Sequence, residues 1–399
     1  MTGSIRMAGL FAGIGGIEHG FRQALGDRLQ TELLCDSWAP AKAVLQHRFP
    51  DVEFHDDVQT LTSLPGNLDI LAAGFPCTDL SQAGRTAGIR GAQSGLVSHV
   101  FAALRLAEAE GSKLPWILIE NVPNMLTLDK GEAMAYLVRE LETLGYRWAY
   151  RVVDSRFTGV PQRRRRVLML ASRTEDPRPV LFNGDEIFDT TKLNEDAYGF
   201  YWTEGRGGVG WAQDAIPTFK GGSGLGIPSP PAIWIPSAES GTKFVLPTIE
   251  DAEALQGFDR GWTSAAAVTG SRNGPRWKLV GNAVTVPVAA WLASRLFDPG
   301  SYENALDTAL VRKGGWPSAA WGESGRVFAV QAGEFPAIGK YTHLLDVLTR
   351  DEATPLSYRA ANGFWSRLQT TNLGRHPGFR EDMADHVRLT APTPVAAVC

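Results

Sequence analysis

The chain is poor in cysteine. It has three cysteines in 399 residues, Cys35, Cys77 and Cys399, and they lie far apart. Disulfide frameworks and zinc sites need paired or closely spaced cysteines, so neither is expected to organise this chain. We therefore predict no metal site, and each cysteine has to be interpreted on its own.

Long apolar runs are also lacking. No uninterrupted hydrophobic stretch approaches the ~20 residues that span a membrane, and the first residues, MTGSIRMAGLF, lack the layout of a signal peptide. The hydrophobic content of 44% and the charged content of 21% are ordinary for a soluble globular protein. We expect a cytoplasmic protein without membrane contact, long enough for two or three domains.

A strong charge of one sign is the third absence. The formal net charge of −4 does not point to nucleic-acid binding, but phosphate contacts come from local patches rather than from the sum. One basic cluster stands out, PQRRRRVLML at 161–170. Four arginines alone would be typical of a solvated turn. Because an apolar strand-like segment follows at once, we expect at least one arginine to point into a site.

Strand and helix patterns alternate over residues 6–172. Short apolar runs ended by turn residues predict strands at RMAGLF, TELLCD, LDILAAGF, LPWILIEN, YRWAYRVVDS and RRVLMLAS. Amphipathic segments between them predict helices at GIEHGFRQAL, APAKAVLQHRF, GLVSHVFAALRLAEAE and GEAMAYLVRELETL. This alternation indicates an α/β fold with a mostly parallel, doubly wound sheet.

The alternation breaks near residue 173. From there to about 245 the chain is rich in glycine, proline and tryptophan, which is typical of a small, loop-dominated second domain. Helical spacing returns at TIEDAEALQGF and TVPVAAWLASRL. Residues 300–399 form an extension whose ten acidic and ten Lys/Arg residues balance. Within it, Thr354-Pro355 predicts a helix start, with proline at the first helical position.

A glycine-rich turn in MAGLFAGIGGIEHGF, residues 7–21, separates a strand from a helix. Gly13, Gly15 and Gly16 allow a tight turn and close approach by a ligand, and the helix N-terminus offers N–H groups. Asp36 ends the next strand, where an acid can accept hydrogen bonds from ribose hydroxyls. These features favour a cofactor that contains a nucleoside. A nicotinamide or flavin dinucleotide would fit this turn nearly as well.

Two other predicted strands end in reactive side chains. Cys77 follows GFP at the carboxyl end of its strand, where doubly wound folds keep their sites, and a glycine-rich segment comes next. A buried cysteine is usually a small hydrophobe, which is our interpretation of Cys35. Glu120 in ILIENVPNML ends a strand expected to lie beside that of Cys77. An ion-paired or capping glutamate is the alternative, but this position favours a site carboxylate.

Five segments together resemble the DNA (cytosine-5)-methyltransferase family of the bacterial or phage type. FAGIGG resembles its cofactor loop, GFPC its nucleophile motif, ENV its acid motif, VPQRRRRV its Gln-Arg-Arg-x-Arg motif, and RWKLVGNAVTVPVAAWLA its closing motif. They occur in family order over residues 6–297, and five ordered motifs make a specific match. Gln162, Arg163, Arg164 and Arg166 match the fourth motif.

The resemblance implies a division of the chain into three parts. Residues 1–172 plus 276–299 would form a Rossmann-like, S-adenosylmethionine-dependent methyltransferase domain, and 173–275 a small irregular target-recognition domain. Residues 300–399 lie outside the shared motifs. We predict that this C-terminal extension supports DNA binding or assembly rather than chemistry, because all five motifs end before residue 298.

The activity implied is methyl transfer from S-adenosylmethionine to carbon 5 of a cytosine flipped out of a specific duplex DNA sequence, with S-adenosylhomocysteine as the product. Cys77 would add to carbon 6 and Glu120 would supply or share a proton at N3. Arg166 would lie near O2, and Arg164 would support Cys77 and the closing loop. The partners implied are double-stranded DNA and a cognate restriction endonuclease, and we expect a monomer on DNA.

The family pattern, together with the polar side chains and glycines of the recognition region, predicts a set of residues for each ligand. Cofactor contacts are expected from Phe11, Gly13, Ile14, Gly15, Gly16, Asp36, Ser37, Trp38, Asp57, Val58, Gly74, Pro76, Leu96, Asn282, Ala283 and Val284. DNA contacts are expected from Ser81, Gln82, Arg85, Arg163, Thr218, Lys220, Gly221 and Ser223. Sequence readout is placed chiefly in 205–235, where Pro217-Thr218-Phe219 resembles the Thr-Leu-type pair of the family's recognition regions.

Three positions depart from the family pattern. Asp36 stands where the family usually has glutamate, a shorter side chain that can make the same ribose contacts. Ser37 stands where a bulky residue is often found, with Trp38 following, so either can be the one that lies against the adenine. Ala283 stands where serine is common, a change that we expect to be tolerated.

Two other function classes stay open. An RNA methyltransferase of related fold could use similar chemistry on a tRNA, but the sizeable recognition region and the long extension favour DNA. A catalytically silent homologue that only binds DNA or a partner is disfavoured, because Cys77, Glu120 and Arg166 are all present.

Overall fold

The computed structural model describes residues 3–76, 95–203, 208–220, 230–267, 274–311 and 314–392. The strands are β1 Ile5–Leu10, β2 Leu29–Cys35, β3 Glu53–His55, β4 Ile70–Ala73, β5 Trp116–Asn121, β6 Arg147–Asp154, β7 Gln162–Arg163, β8 Arg165–Ser172, β9 Tyr198–Phe200, β10 Ala212–Gln213, β11 Ile216–Pro217, β12 Ala232–Trp234, β13 Phe244–Leu246, β14 Thr308–Ala309, β15 Ala319–Glu323, β16 Arg326–Ala329 and β17 Thr354–Pro355. The helices are α1 Gly16–Leu25, α2 Ala39–Arg48, α3 Leu96–Ala109, α4 Glu132–Thr143, α5 Arg178–Phe182, α6 Ile249–Leu255, α7 Gly274–Asn282, α8 Val286–Phe297, α9 Leu344–Val347, α10 Tyr358–Thr370 and α11 Phe379–Thr390.

A ten-stranded sheet forms the centre of the fold, in the order β14-β16-β15-β6-β8-β5-β4-β1-β2-β3. The strands from β3 to β5 pair in parallel, whereas β8, β6, β15, β16 and β14 each pair antiparallel with their neighbours. The doubly wound α/β prediction is therefore confirmed for the half that carries the glycine turn. In the other half, β6 and β8 are joined without a crossover helix and pair antiparallel, as do β15 and β16, and β15 pairs antiparallel with β6.

Both faces of the central sheet are covered by helices. In β1, Ala8 and Leu10 point to the face covered by α3 and α4, while Ile5 and Met7 point to the face covered by α1, α5 and α8. Strands buried on both faces are expected to be continuously apolar, as these are. All ten strands and helices predicted for residues 6–172 are present within a few residues of the predicted bounds.

A second, five-stranded sheet lies in the region predicted to be irregular, in the order β10-β9-β12-β13-β17. Its strands are two or three residues long, and its aromatic side chains pack against α10 and α11. A two-stranded pair, β11 with β7, connects this region to the central part of the chain. This pair matters for the site, because β7 carries the first residues of the arginine cluster.

Residues 300–399 contribute to both large sheets. β15 pairs with β6 and extends the central sheet towards β16 and β14, while β17 pairs with β13 in the second sheet. The prediction that this extension supports DNA binding or assembly rather than chemistry stays a prediction. The boundaries predicted for the three parts stay a prediction, but the last hundred residues are packed into the fold.

The predicted helix start at Thr354-Pro355 is wrong. These two residues form β17, and α10 begins at Tyr358 with the hydroxyl of Ser357 accepting a hydrogen bond from the backbone N–H of Ala360. Pro355 pairs with Val245 of β13 instead of opening a helix. A proline in an edge strand costs no hydrogen bond of the sheet. Both a helix start and an edge strand were therefore acceptable locally, and pairing with β13 decided for the strand.

Helices α7 and α8 form one apolar stretch, Gly274–Phe297, that is long enough to cross a membrane by length and composition. Its most apolar window has a mean hydropathy of 1.3 and is 61% buried inside the protein. Because α8 packs against α1 and the central sheet, this stretch is a core helix pair.

Candidate active site

The turn after β1 presents one glycine to open space. Phe11 has φ +56°, rare for a residue with a side chain, and Gly13 has φ +59°. A Cβ added at Gly13 would meet nothing within 4 Å, whereas one at Gly15 would lie 2.4 Å from the ring of Phe49 and one at Gly16 2.7 Å from the carbonyl oxygen of Val284. Gly13 is therefore the position open to a ligand, while Gly15 and Gly16 allow close packing.

Asp36 ties this turn to the next βα connection. Its Oδ2 accepts a hydrogen bond from the N–H of Gly13 and its Oδ1 accepts one from the N–H of Trp38, both at 2.9 Å. Burial raises the pKa of Asp36, against the two N–H donors, which lower it. Each oxygen keeps a further acceptor site, so the carboxylate is fixed in place and can still accept from a hydroxyl.

An apolar wall stands beside the glycine turn. Asp57 caps the short turn at Val58–Thr60, with its Oδ1 accepting from the N–H of Gln59 at 2.9 Å. Val58 is buried in one hydrophobic cluster with Phe11 and Leu96, which are partly exposed. Predicted cofactor residues from three connections therefore pack against the same face of the central sheet.

Trp38 rather than Ser37 carries the bulk at the start of α2. Ser37 is exposed, whereas Trp38 is partly buried and packs against the hydrophobic cluster that contains Ile14. The ammonium of Lys278 in α7 lies 4.6 Å from the centre of the Trp38 ring, a cation–π contact. The structure thus brings Trp38 to the closing motif.

The closing motif lies against the glycine turn. Ala283 is buried in the same cluster as Ile14, and the carbonyl of Val284 faces Gly16. Asn282, at the end of α7, is exposed. The motif from residue 282 to 284 is therefore adjacent to the turn at 13–16, although some 270 residues separate them in sequence.

The connection after β4 is tied to the strand of Glu120. The side-chain amide of Asn121 donates a hydrogen bond to the carbonyl of Phe75 at 2.9 Å, and Gly74 N–H donates to the carbonyl of Leu10 at 3.3 Å. Pro76, the last described residue of this connection, is exposed. Five predicted site residues besides Cys77 lie outside the described residues: Ser81, Gln82, Arg85, Gly221 and Ser223.

Glu120 and two arginines converge at the end of β5. The Nε atom of Arg166 lies 2.9 Å from Oε1 of Glu120, an ion pair with both side chains largely buried. Burial lowers the pKa of Arg166, and the neighbouring Glu120 opposes this shift. A cavity of about 10 Å³, with room for about one water molecule, is bordered by Glu120, Arg164 and Arg166. An acid and two cations thus share one small space.

Arg164 holds the closing motif. It is 1% exposed, and its two terminal nitrogens donate to the carbonyls of Gly281 at 3.1 Å and Ala283 at 2.6 Å. Its Nε makes no hydrogen bond to the residues that the structure describes. The predicted support of Cys77 and of the closing loop by Arg164 falls on segments outside the described residues and stays a prediction, whereas the contacts of Arg164 to the closing motif were not predicted.

The four arginines of the cluster have separate roles, because side chains alternate between the two faces of an extended strand. Arg164 and Arg166 point inwards, while Arg165 is exposed and pairs with Glu334. Arg163 is partly exposed, and its backbone pairs with Pro217 in the β7–β11 ladder. The cluster is therefore not a solvated turn.

Comparison with known proteins decides what this arrangement is. The sequence profile of the family described as C-5 cytosine-specific DNA methylase matches residues 5–199. The type II methyltransferase M2.BsuMI of Bacillus subtilis (strain 168) is 45% identical over 94% of this chain and 96% of its own length. The type II methyltransferase M.MspI of Moraxella sp is 25% identical over 72% of this chain and 69% of its own length.

The chain belongs to the C-5 cytosine-specific DNA methylases. Membership makes it a DNA (cytosine-5)-methyltransferase, as the five motifs predicted. The crystal structure of the S. pombe Dnmt2 methyltransferase aligns with a TM-score of 0.52 at 16% identity, over 74% of this chain and 99% of that one. The Entamoeba histolytica methyltransferase EhMeth aligns with a TM-score of 0.51 at 16% identity, over 74% of this chain and 98% of that one. At such identities the likeness confirms the fold alone.

The segment 216–220, part of the predicted recognition region (the recognition segment), is hydrogen-bonded to β7, which leads into Arg164. The hydroxyl of Thr218 donates to the carbonyl of Arg163 at 2.8 Å, so this predicted DNA-reading group is engaged within the protein. The ammonium of Lys220 lies 4.4 Å from the centre of the Tyr201 ring. The Tyr201 hydroxyl in turn donates to the carbonyl of Thr218 at 2.8 Å and accepts from the N–H of Lys220 at 3.1 Å.

Two positioning residues of the methylase were missed from sequence. Tyr201 organises the segment from Thr218 to Lys220. Gln256 is buried, donates to the carbonyl of Val280 at 2.8 Å and accepts from the hydroxyl of Thr285 at 2.7 Å, so it braces both ends of the closing motif. The sequence offered one indication for Gln256, its place at the end of a helix pattern before a glycine. Tyr201 lies in an irregular segment without such an indication.

The residues present fit S-adenosylmethionine. Gly13 leaves open space in front of the turn, Asp36 has free acceptor sites, and the cluster of Phe11, Val58 and Leu96 is apolar. A nucleoside needs a hydroxyl acceptor beside an apolar wall, which this arrangement offers. Among the described residues, no group of three or more histidine, cysteine, aspartate or glutamate side chains is placed to hold a metal ion.

Proposed function

We propose that this methylase transfers a methyl group from S-adenosylmethionine to carbon 5 of a cytosine that is flipped out of a specific sequence in duplex DNA. The observation that carries the proposal is the pairing of Glu120 with Arg166 at the end of β5, beside the connection that leads through Pro76 to Cys77. An acid and a cation at this sheet edge, with a cysteine next in the chain after Pro76, match the needs of a pyrimidine ring that gains electron density.

The ring chemistry needs a nucleophile, because carbon 5 of cytosine is too electron-poor to attack a methyl group. The Cys77 thiolate would form a bond to carbon 6, which turns the ring into an enamine that is nucleophilic at carbon 5. Glu120 would place a proton at N3, and Arg166 would stabilise the charge at O2. After methylation, a base removes the carbon 5 proton and the S–C6 bond breaks, returning the thiolate.

The cofactor's part is limited to one contribution: bound S-adenosylmethionine supplies an electrophilic methyl group. The chain's own residues would orient it. Asp36 would accept from the ribose hydroxyls, Val58 and Leu96 would cover an apolar face, and Asn282 would approach from the closing motif. Because Asp36 is fixed by the N–H groups of Gly13 and Trp38, it needs no rearrangement to accept a hydroxyl.

Duplex DNA is the substrate that we propose, with the recognition region between the fourth and fifth motifs reading its sequence. A base inside a duplex is out of reach of a side chain at a sheet edge, so flipping is required, at a cost of roughly a few kcal/mol. The names of the similar proteins, type II methyltransferases, support a companion restriction endonuclease. We further propose action in the cytoplasm, as a monomer on DNA.

Transfer of tritium from labelled S-adenosylmethionine tests the proposal. The purified protein is incubated separately with duplex DNA and with tRNA, and the labelled DNA is sequenced for 5-methylcytosine. We expect label in DNA at cytosine carbon 5 within one recurring sequence. Label in tRNA alone would establish the RNA alternative, and cofactor and DNA binding without transfer would establish a silent homologue.

Substitution of Glu120 tests the assigned chemistry. Glu120→Gln should lower the rate constant of methyl transfer by about 10² to 10⁴-fold, because an amide cannot place a proton at N3. Cys77→Ser should abolish transfer. The matched control is Glu110→Gln, an exposed glutamate at the end of α3 that should leave the rate unchanged. A loss of less than threefold in Glu120→Gln would show that the role is wrong.

A further inference from the structure

The recognition segment and the catalytic arginines share one hydrogen-bonded strand pair. β11 lies parallel to β7, with Ile216 opposite Gln162 and Pro217 opposite Arg163, and Ile216 N–H donates to the carbonyl of Pro161 at 2.9 Å. The hydroxyl of Thr218 continues this ladder to the carbonyl of Arg163 at 2.8 Å. Residues 216–218 are therefore bound to the backbone that leads directly into Arg164.

The strand that receives these contacts is short and continues into the site. β7 has two residues, and Arg164, which follows it, is buried with both terminal nitrogens on carbonyls of the closing motif. The carbonyl of Arg164 accepts from the N–H of Ser155 at 2.9 Å, and the hydroxyl of Ser155 donates to the carbonyl of Gln162 at 2.7 Å. A displacement of Arg163 would thus be passed to Arg164 and to the closing motif.

The other end of the segment is held by the second sheet. Tyr201, which follows β9 and is 1% exposed, donates to the carbonyl of Thr218 at 2.8 Å and accepts from the N–H of Lys220 at 3.1 Å. Thr218 is therefore the residue that is contacted both by Tyr201, which follows β9 of the second sheet, and by β7. The backbone carbonyl of Thr218 accepts from Tyr201, and the hydroxyl of Thr218 donates to the carbonyl of Arg163.

We propose that Thr218 is a positioning residue that couples the seating of the recognition segment on DNA to the placement of Arg164 and Arg166. This inference rests on the proposed function and adds a mechanism by which only a correctly bound sequence is methylated fast. Thr218 does not itself touch the reacting atoms. It differs from a residue that reads a base, because its hydroxyl donates to the protein backbone.

The test is a series at this one position. Thr218→Val keeps the shape and removes the hydroxyl, and Thr218→Ser restores it. In single-turnover methylation at saturating target duplex and cofactor, Thr218→Val should lower the rate constant about 3 to 10-fold, the range expected for loss of one hydrogen bond. Its affinity for the target duplex should change less than twofold, and Thr218→Ser should recover the parent rate within twofold.

The matched control is Thr242→Val in the turn between β12 and β13. The Thr242 hydroxyl donates to the carbonyl of Glu239 at 2.9 Å, a similar hydrogen bond without any link to β7. Thr242→Val should leave the rate constant of methyl transfer unchanged. If both variants and the parent have the same midpoint of thermal unfolding, general destabilisation is excluded as the cause of a rate change.

Three outcomes separate the possibilities. If Thr218→Val matches the parent rate at saturation, or if its defect lies only in DNA affinity or in the choice of target sequence, the coupling proposal is wrong while the proposed function stands. If the parent protein itself transfers no methyl group to DNA, the proposed function fails and this inference falls with it.

Discussion

Glu18 is a buried carboxyl that the proposed reaction does not use. It lies in the first turn of α1, is 1% exposed, and fits against β1 because Gly9 has no side chain there. Its Oε2 accepts no hydrogen bond from the residues that the structure describes. Burial raises the pKa of Glu18 to about 7. Folding therefore shifts this carboxyl towards its protonated form, at a position next to the glycine turn.

This raised pKa predicts a pH dependence of stability. The pKa of Glu18 is higher in the folded than in the unfolded protein. Its contribution to the free energy of unfolding is therefore fully present below about pH 4.3 and is lost as the pH rises through about 7. Between pH 5 and 8, the free energy of unfolding of the parent should fall by about 2 to 3 kcal/mol relative to Glu18→Gln. Urea unfolding at a series of pH values measures this difference.

The control for this prediction is Glu110→Gln, whose carboxylate is exposed. Its unfolding free energy should follow that of the parent at every pH. If the curves of Glu18→Gln and the parent ran parallel from pH 5 to 8, the carboxyl would be ionised throughout and the predicted shift would be absent.

At the scale of elements, the packing of α1 on α8 depends on Gly20. A Cβ at this position would lie 2.5 Å from the carbonyl oxygen of Val286 and 2.6 Å from the Cβ of Ala289. The two helices approach closely because α1 has no side chain there. This contact places the start of α8, and with it the closing motif, against the glycine turn.

Two glycine-to-alanine substitutions should therefore have opposite effects. In a helix, alanine is favoured over glycine by about 1 kcal/mol. Gly363→Ala in α10 should be stabilising by up to about that amount, because an added Cβ would meet nothing within 4 Å. Gly20→Ala should be destabilising by about 1 to 3 kcal/mol, the usual cost of overpacking, despite the same gain in propensity. Thermal and urea unfolding of both variants check the signs, and a stabilised Gly20→Ala would contradict this packing.

The whole molecule depends on its last hundred residues. β15 covers the edge of β6, with Trp321 opposite Ala149. Trp316 lies in the main hydrophobic cluster, and its indole N–H donates to the carbonyl of Gly131 at 2.9 Å. Arg151 of β6 is fully buried and donates to the carbonyl of Gly333 at 2.8 Å. Removal of these residues would expose a strand edge, a core cluster and a buried charge.

Truncation after Phe297 should thus prevent folding, although every motif of the family lies before that residue. We expect the fragment 1–297 to be insoluble or to lack a cooperative unfolding transition and cofactor binding. Co-expression of 298–399 as a separate chain should restore both, because the interface is a strand ladder with buried aromatic side chains. A soluble fragment 1–297 that binds S-adenosylmethionine would show that the extension is an accessory part, as the motif order alone had predicted.

The sequence by itself determined the alternating half of the fold and the family, and it singled out candidate reactive residues, whose roles stay predictions. Apolar periodicity encodes which face of a strand or helix is buried, so the ten elements of residues 6–172 were predictable without knowledge of their partners. The glycine turn, Asp36 and Glu120 could be placed at one sheet edge, because carboxyl ends of parallel strands meet there. The arginine cluster reaches the same edge because β8 runs antiparallel to β5, which the sequence pattern did not predict. The five-motif resemblance then predicted the activity that family membership shows.

Only the tertiary structure decided which residues contact one another across the chain. Local pattern does not specify a partner, so the antiparallel half of the sheet, the strand at Thr354-Pro355 and the packing of residues 300–399 could not be predicted. The same holds for Arg164 on the closing motif, Thr218 on Arg163, and Glu18 against Gly9. Each of these contacts joins residues that are adjacent only after folding, and each depends on burial and hydrogen bonding that the distant segment supplies.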